Sequence, residues 1–208
     1  MWIAELWRYP VKSIAGELLQ VADVRETGIV GDRVVQVVSA AGRTVTSRTK
    51  PKLLGYHATL GADGEPLVDG KPWREIDVRD AAGSGAWLVR YDGVERFDIL
   101  LLLVATDGAI AAFGYDRRRL RPNIVIGGVD GLDERLWEGK TLRAGEVIIV
   151  IKYLRERCIM TTFDPDTLGQ DVEVLRKIRR KFGGLLALNC SVVKAGKLTV
   201  GDVIEVSS

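Results

Sequence analysis

Histidine is almost missing from this chain: His57 stands alone among 208 residues, beside two cysteines, Cys158 and Cys190. A structural zinc centre needs four Cys or His ligands at short spacings, and these three are scattered, with His57 about a hundred residues from Cys158. Nor does their spacing support a Cys–His nucleophile pair. The two cysteines are read as free thiols, since a chain of this length builds its own core without a disulfide staple. Long apolar runs are lacking too. The longest, Ile99 to Ala105, falls far short of the roughly 20 residues that span a bilayer. The start, Met1-Trp2-Ile3-Ala4-Glu5-Leu6-Trp7, lacks the basic stretch and apolar core of a secretion signal, so a cytoplasmic protein without a membrane span is expected. Charge of one sign is missing as well: 30 basic against 28 acidic residues leave +2, no field to gather nucleic acid. Any basic site must be local. Walker A loops, dinucleotide glycine fingerprints and iron–sulfur spacings are absent.

What is present is 47% hydrophobic and 28% charged residues, ordinary for a globular protein. Short segments rich in Val, Ile, Leu and Trp alternate with Gly, Asp and Pro turns, the rhythm of a mainly β fold, a barrel or sandwich. The expected strands are Trp2–Arg8, Leu18–Arg25, Arg33–Val38, Thr44–Ser47, Tyr56–Leu60, Glu75–Val78, Ala86–Tyr91, Ile99–Val104, Asn123–Ile126, Val147–Tyr153, Arg157–Met160, Leu185–Val193 and Val203–Val206. Two segments read as helices. One starts at Asp171, turns Val172, Leu175, Ile178 and Phe182 inward and stops at Gly183-Gly184. The other is capped by Thr106 or Asp107 and closed by Gly114. The weakest point for a boundary is Asp92-Gly93.

Four stretches carry possible chemistry. In Arg155-Glu156-Arg157-Cys158, arginines flank a cysteine in a way that would stabilise a thiolate, although a buried structural cysteine fits the composition equally. Asp164-Pro165-Asp166 reads as a turn rather than as a carboxylate pair. Arg117-Arg118-Arg119-Leu120-Arg121 is either a solvated face or a grip for a small anion, to which the helix start at Thr106-Asp107-Gly108 could add backbone donors. Tyr9-Pro10-Val11-Lys12-Ser13 and Gly28 to Arg33 are turns that present Lys12, Ser13 and Arg33. Cys190 and His57 fall in expected strands; Cys190 reads as a core residue, and His57 as a packed or surface residue rather than a ligand.

Taken in order, Tyr9 to Ser13, Gly31-Asp32-Arg33, Thr46-Ser47-Arg48, Arg121-Pro122-Asn123-Ile124-Val125-Ile126, Arg157 to Thr167 and Gly196 to Asp202 resemble the MOSC (molybdenum cofactor sulfurase C-terminal) family with its N-terminal β-barrel region, as in amidoxime-reducing proteins. The resemblance covers nearly the whole chain. It implies a MOSC-type β-barrel with a few short helices, an N-terminal region over 1–92 and the MOSC domain over 93–208. It also implies a molybdenum cofactor, Mo-molybdopterin, with Cys158 as the metal ligand and catalytic residue. Lys12, Ser13 and Arg33 would contact the phosphate or pterin, Thr106 would stand near it at a helix start, and Arg121, Asn123 and Arg157 would complete the pocket.

The function so implied is a molybdenum-dependent oxidoreductase that reduces N-hydroxylated or N-oxide small molecules by oxygen-atom transfer to the metal, fed by an external electron-transfer protein. The alternatives are a sulfur carrier or cofactor-handling protein using a Cys158 persulfide, and a plain binding barrel in which Cys158 is structural.

Overall fold

The first half of the chain is strand-rich because short apolar stretches are interrupted by glycine and aspartate turns. In the computed structural model, which describes residues 1–91, 93 and 96–207, its strands are β1 (Trp2–Arg8), β2 (Glu17–Leu19), β3 (Val21–Arg25), β4 (Gly28–Ile29), β5 (Val35–Val38), β6 (Thr44–Val45), β7 (Ala58–Leu60), β8 (Pro66–Val68), β9 (Lys71–Pro72) and β10 (Trp87–Arg90). The second half holds β11 (Leu102–Thr106), β12 (Ile124–Gly127), β13 (Thr141–Ala144), β14 (Val147–Glu156), β15 (Leu185–Lys194), β16 (Gly196–Thr199) and β17 (Glu205–Ser207). The α-helices are α1 (Arg79–Ala82), α2 (Asp107–Phe113) and α3 (Val172–Phe182). The protein is mainly β, as its sequence rhythm predicts.

Eight strands form one sheet in the order β17-β13-β14-β15-β11-β12-β1-β2. Its neighbours are antiparallel except for β11 and β12. The segment leading into β17 lies against β1, with Ile3 N–H donating to the Asp202 carbonyl at 2.9 Å and Gly201 N–H to the Ile3 carbonyl at 2.8 Å. That contact ties the far edge back to the start, yet β17 and β2 do not pair, so the ladder stays open. Smaller sheets β10-β5-β6, β16-β3-β4 and β7-β8-β9 complete the fold. Strands from both halves interlace, β1 with β12 and β3 with β16. Asp92, on which the expected boundary falls, lies outside the described residues.

Three apolar clusters hold these layers. Ile3, Leu6, Val104, Ile126, Ile151 and Leu188 fill the space behind the large sheet, and Val11, Val35, Leu53 and Trp73 form a second core around β5. The third seats α2 and α3 through Phe113, Leu120, Val174, Ile178 and Phe182. In α3 the buried set recurs every fourth residue from Val174, which corrects the expected face: Val172 is 48% exposed and Leu175 is only half-buried. Both helix ends follow their caps. Thr106 Oγ1 accepts the Ala109 N–H at 3.1 Å, Asp171 accepts that of Glu173 at 2.9 Å, and Gly114 and Gly183 close the helices in the left-handed region.

Other expectations need correction. Leu18–Arg25 breaks at Gln20, whose carbonyl accepts Val200 N–H, so its two halves serve different sheets. Glu75–Val78 is not a strand: a 3-10 turn over Trp73–Glu75 precedes it, and the Asp77 carboxylate captures the Arg79 N–H at 2.9 Å, which starts α1. Arg157–Met160 is not a strand either. β14 runs to Glu156, and the chain then coils into a 3-10 turn over Ile159–Thr162 with Cys158 at its N-cap.

Candidate functional site

A transverse row of the large sheet supplies the floor of the site. Trp7 N–H donates to the Asn123 carbonyl at 2.8 Å, Asn123 N–H to the Leu103 carbonyl at 2.7 Å, and Leu103 lies opposite Asn189, which pairs with Tyr153. Asn123 and Asn189 are thereby fixed inside a sheet that is otherwise apolar at this level. Asn123 is fully buried; its Oδ1 accepts Leu103 N–H at 3.1 Å and its Nδ2 donates to Asp32 at 3.2 Å.

The walls come from strand ends, where the backbone is free to turn. The chain leaving β1 pairs with the one approaching β5: Lys12 N–H donates to the Val35 carbonyl and Arg33 N–H to the Tyr9 carbonyl, both at 2.8 Å. Lys12, Ser13 and Arg33 are so brought together. Asp32, fully buried, anchors this corner by accepting Tyr9 N–H at 2.7 Å and pairing with the Arg33 guanidinium and Asn123. On the other side the arginine run forms a 3-10 turn over Arg117–Leu120, capped by Asp116. Arg117 and Arg118 face outward onto Glu5, Asp116 and Asp166, whereas Arg119 is held at the cavity by Asp164 at 2.8 Å. The Asp164 carboxylate also accepts the N–H groups of Asp166 and Thr167, so Asp164-Pro165-Asp166 is the turn expected and a brace for the arginines as well.

Ser13, Arg33 and Arg121 adopt φ of 70°, 55° and 55°. Left-handed conformations are uncommon for side-chain-bearing residues, and such strain collects at functional sites. Arg121 donates to the Ile14 carbonyl at 2.8 Å and lies 4.2 Å from the centroid of the Tyr9 ring. Burial pulls its pKa down to about 10, with the Arg33 charge adding to the effect. Burial lowers Arg157 to about 10 as well, reinforced by Arg155, and Arg155 itself is lowered by burial. Among the described residues no carboxylate lies within salt-bridge distance of Arg121, Arg155 or Arg157. Arg157 donates to the Leu120 carbonyl at 2.8 Å, but its buried Nε has no partner, and neither does Asn189 Nδ2.

Cys158 stands in this wall, half-buried and reduced. Its carbonyl accepts both Thr161 N–H at 3.1 Å and Thr161 Oγ1 at 2.9 Å, which fixes the residue through its backbone. The thiol takes no part in capping and has no hydrogen-bond partner among the described residues. Cys190 is its opposite: fully buried between β11 and β14, with burial pushing its thiol far up, it is the core residue expected.

The cavity is about 80 Å³ and is lined by Lys12, Ser13, Arg33, Arg121, Asn123, Arg157 and Cys158, all expected, by Arg48, Arg119 and Arg155 from the quoted stretches, and by Phe97, Asp98 and Asn189, which the sequence did not mark. Seven cations meet two lining carboxylates, Asp98 and Glu156. Asp98 bridges Lys12 at 2.9 Å and Arg48 at 2.8 Å. Burial alone would raise its carboxyl, but the Lys12 hydrogen bond and the charges of Lys12, Arg48 and Arg155 outweigh this and hold it below the ordinary value. Nothing in its sequence neighbourhood marks Asp98, whereas Arg48, Arg119 and Arg155 belong to the quoted stretches. Thr106 does not join them. Its hydroxyl caps α2 and donates to the buried Glu134 at 3.2 Å. The helix start around it is closed, because Asp107 accepts the N–H groups of Gly108, Gly128 and Val129.

Beyond Arg119, Arg121 and Met160 lies a second cavity of about 280 Å³ with Trp7, Tyr9, Leu18, Leu54, His57 and Phe163 in its walls. His57 is exposed at that rim. Among the described residues no three His, Cys, Asp or Glu side chains converge as a metal site, and no helix is long and apolar enough to cross a membrane.

An asparagine-floored cavity with excess positive charge and one free thiol defines a β protein equipped to hold an anionic ligand beside a sulfur donor. The chain belongs to the MOSC family: the MOSC N-terminal beta barrel domain matches residues 1–110 and the MOSC domain residues 108–205. It is 25% identical to mitochondrial amidoxime reducing component 2 of Homo sapiens and 24% identical to that of Macaca fascicularis, covering 97% of this chain and 82% of each relative. The crystal structure of the YuaD protein from Bacillus subtilis shares the fold at a TM-score of 0.51 and 15% identity, covering 99% of this chain and 98% of that one.

Proposed function

We propose that the protein binds a molybdenum pterin cofactor and reduces N-hydroxylated or N-oxide compounds. The observation that carries this reading is the group of half-buried guanidinium ions, Arg121, Arg155 and Arg157, that contact no carboxylate and line the same cavity as the free Cys158 thiol. Drawing a cation out of water with no counter-charge costs free energy even where carbonyl or amide oxygens accept its hydrogen bonds, so a fold that gathers three is arranged for an anion from outside. The unpartnered Arg157 Nε and Asn189 Nδ2 are donors waiting for acceptor atoms. A phosphate fits the 80 Å³ space beside Lys12, Ser13 and Arg33, and the rest of the ligand extends into the adjoining openings.

In this reading Cys158 ligates the metal, a role suited to a soft thiolate, with its backbone held by Thr161. Lys12, Ser13, Arg33, Arg121 and Arg157 hold the anionic end, Asn189 offers its open Nδ2 to a ring acceptor, and Asn123, its amide engaged by Leu103, Trp7 and Asp32, holds the floor in place. When bound, the cofactor supplies a metal that changes oxidation state by two electrons and accepts oxygen from an N–O bond, with an external redox protein restoring the electrons. The relatives' printed activity, amidoxime reduction, supports the substrate class.

The test is elemental analysis and amidoxime reduction after expression with abundant cofactor. Wild type is expected to carry about one molybdenum per chain and Cys158→Ala almost none. Equal metal in both removes the assignment. Metal-free protein that instead carries cyanide-releasable sulfur on Cys158 favours the sulfur-carrier role.

A further inference from the structure

Cys158 is reached from two sides. Besides the basic cavity, it opens onto a groove of about 450 Å³ whose walls include Ile159, Val172 and Leu175, with Arg176 and Arg179 among the lining residues. The apolar part exists because α3 is seated on Val174, Ile178 and Phe182, leaving Val172 48% exposed and Leu175 half-buried on the flank that faces the thiol. Ile159, on the turn that follows Cys158, is 41% exposed and continues the same surface. These side chains stay partly exposed to water beside the thiol although the helix has an adequate core elsewhere.

The groove is also positively biased. Arg157, Arg176 and Arg179 line it against Glu156. Arg176 pairs with Glu173 on the exposed face, a contact that offsets little of its field in water. Arg179 has no carboxylate within salt-bridge distance among the described residues. An apolar floor with an arginine rim matches a molecule with a hydrophobic body and a negatively charged end, and repels a cationic one.

We propose that this groove is the substrate approach to the Cys158 site and selects small amphipathic anions and neutral apolar molecules over cations. This specificity rests on the proposed role of Cys158 as a metal ligand, but the groove's selectivity can be read on the sulfur atom of cofactor-free protein, with no metal present. Iodoacetate and iodoacetamide alkylate the same thiol, one as an anion and the other as a neutral molecule. Alkylation forms the Sγ–CH2 bond and expels iodide, and mass spectrometry assigns it to Cys158 or Cys190.

The wild-type rate ratio of iodoacetate to iodoacetamide at Cys158 is expected to exceed that of a cysteine peptide. In R176E/R179E, two reversed charges near the path should lower the ratio about fivefold at low ionic strength. R176Q/R179Q should lower it less, and Arg143→Glu, a charge change on β13, should leave it unchanged. Far-UV dichroism checks that α3 persists, and the glutamine pair keeps the test valid if acidic residues in the last turn unwind it. A ratio that ignores both α3 pairs, or a Cys158 that neither reagent reaches until the protein is denatured, overturns the groove as the approach. In molybdenum-loaded protein, kcat/KM is expected to rank carboxylate-bearing and neutral aryl N-oxygenated compounds above a trimethylammonium analogue, and R176E/R179E to narrow or reverse that order. Loaded protein that prefers the cation sinks the specificity and spares the cofactor reading. Protein with no metal and no reductase activity, but with the alkylation pattern intact, does the reverse.

Discussion

The basic cavity and the start of α2 are both places where the fold could receive an anion, and they have been finished differently. At the start of α2, Thr106 accepts Ala109 N–H and Asp107 accepts Gly108 N–H, while the same Asp107 carboxylate takes the N–H groups of Gly128 and Val129 from the loop after β12. At the cavity, the half-buried Arg121, Arg155 and Arg157 contact no carboxylate among the described residues, and the buried Arg157 Nε and Asn189 Nδ2 stay unpaired. Buried donors left open mark a place for something that arrives later; buried donors closed by the chain mark structure.

The strongest way to break this contrast is to open the closed site. Asp107→Ala strips the acceptor from three backbone N–H groups, and because an unmet buried donor costs about 1–3 kcal/mol while one of these is exposed, a loss of about 2–4 kcal/mol is expected. The urea midpoint should fall at constant m-value, and molybdenum content should not change. A fall in metal without a fall in stability would mean that α2 belongs to the ligand site.

Removing a cation from the open site should do the reverse. Arg157→Met exchanges a half-buried charge with no carboxylate partner for an apolar side chain of similar length, and relief of its desolvation should outweigh the lost hydrogen bond to the Leu120 carbonyl by about 1 kcal/mol. Ligand-free protein should therefore become more resistant to urea while binding of inorganic phosphate or cofactor weakens by about tenfold, the loss of one charge-assisted hydrogen bond. A destabilised Arg157→Met protein would show that Arg157 supports the fold instead of waiting for a ligand.

How much of this contrast is legible in the sequence follows from which interactions are local. α2 and α3 are bounded by caps within a few residues, so Thr106, Asp171, Gly114 and Gly183 could be read directly. β1 is likewise bounded where its apolar pattern ends. The path after β14 could not be read, because whether Arg157 to Met160 extends or coils depends on Thr161 reaching back to the Cys158 carbonyl and Arg119 donating to the Thr161 carbonyl. The seven expected cavity residues came together only through family resemblance, since by themselves their stretches read as turns, as a solvated face or an anion grip, and as a thiol either stabilised as thiolate or structural. Asp98 had no signal at all: its partners Lys12 and Arg48 lie far upstream in the chain. Thr106 lies outside the cavity lining, a placement the sequence could not show because a capping threonine looks the same whether its helix start is open or closed.

The two thiols sharpen the comparison at a smaller scale. Cys190→Ser puts a hydroxyl into a fully buried position between β11 and β14, where the thiol has only a long 3.7 Å contact to the Leu188 carbonyl, and burying a poorly bonded hydroxyl costs about 1–3 kcal/mol. Cys158→Ser, at a half-buried position whose sulfur has no hydrogen-bond partner among the described residues, should cost less than about 0.5 kcal/mol. Thermal unfolding of cofactor-free protein separates them. Equal losses would mean that Cys158 is packed as tightly as Cys190.

The finest test concerns Asp98, the carboxylate that already sits among the cavity's cations. Its folded pKa lies below that of an unfolded aspartate, about 3.9, because Lys12, Arg48 and Arg155 more than offset its burial. A carboxyl shifted in this direction adds stability above its unfolded pKa and loses it as pH falls through the lower folded value. Asp98→Asn should therefore flatten the acid side of the stability profile below about pH 4, by less than about 1 kcal/mol because the side chain is partly solvated. The same substitution releases Lys12 and Arg48 from their only carboxylate contact among the described residues, so phosphate affinity should rise as stability at neutral pH falls slightly. Titration calorimetry with inorganic phosphate on both proteins reads that opposition: weaker binding in Asp98→Asn would make Asp98 part of the ligand's support and not the group that occupies its place.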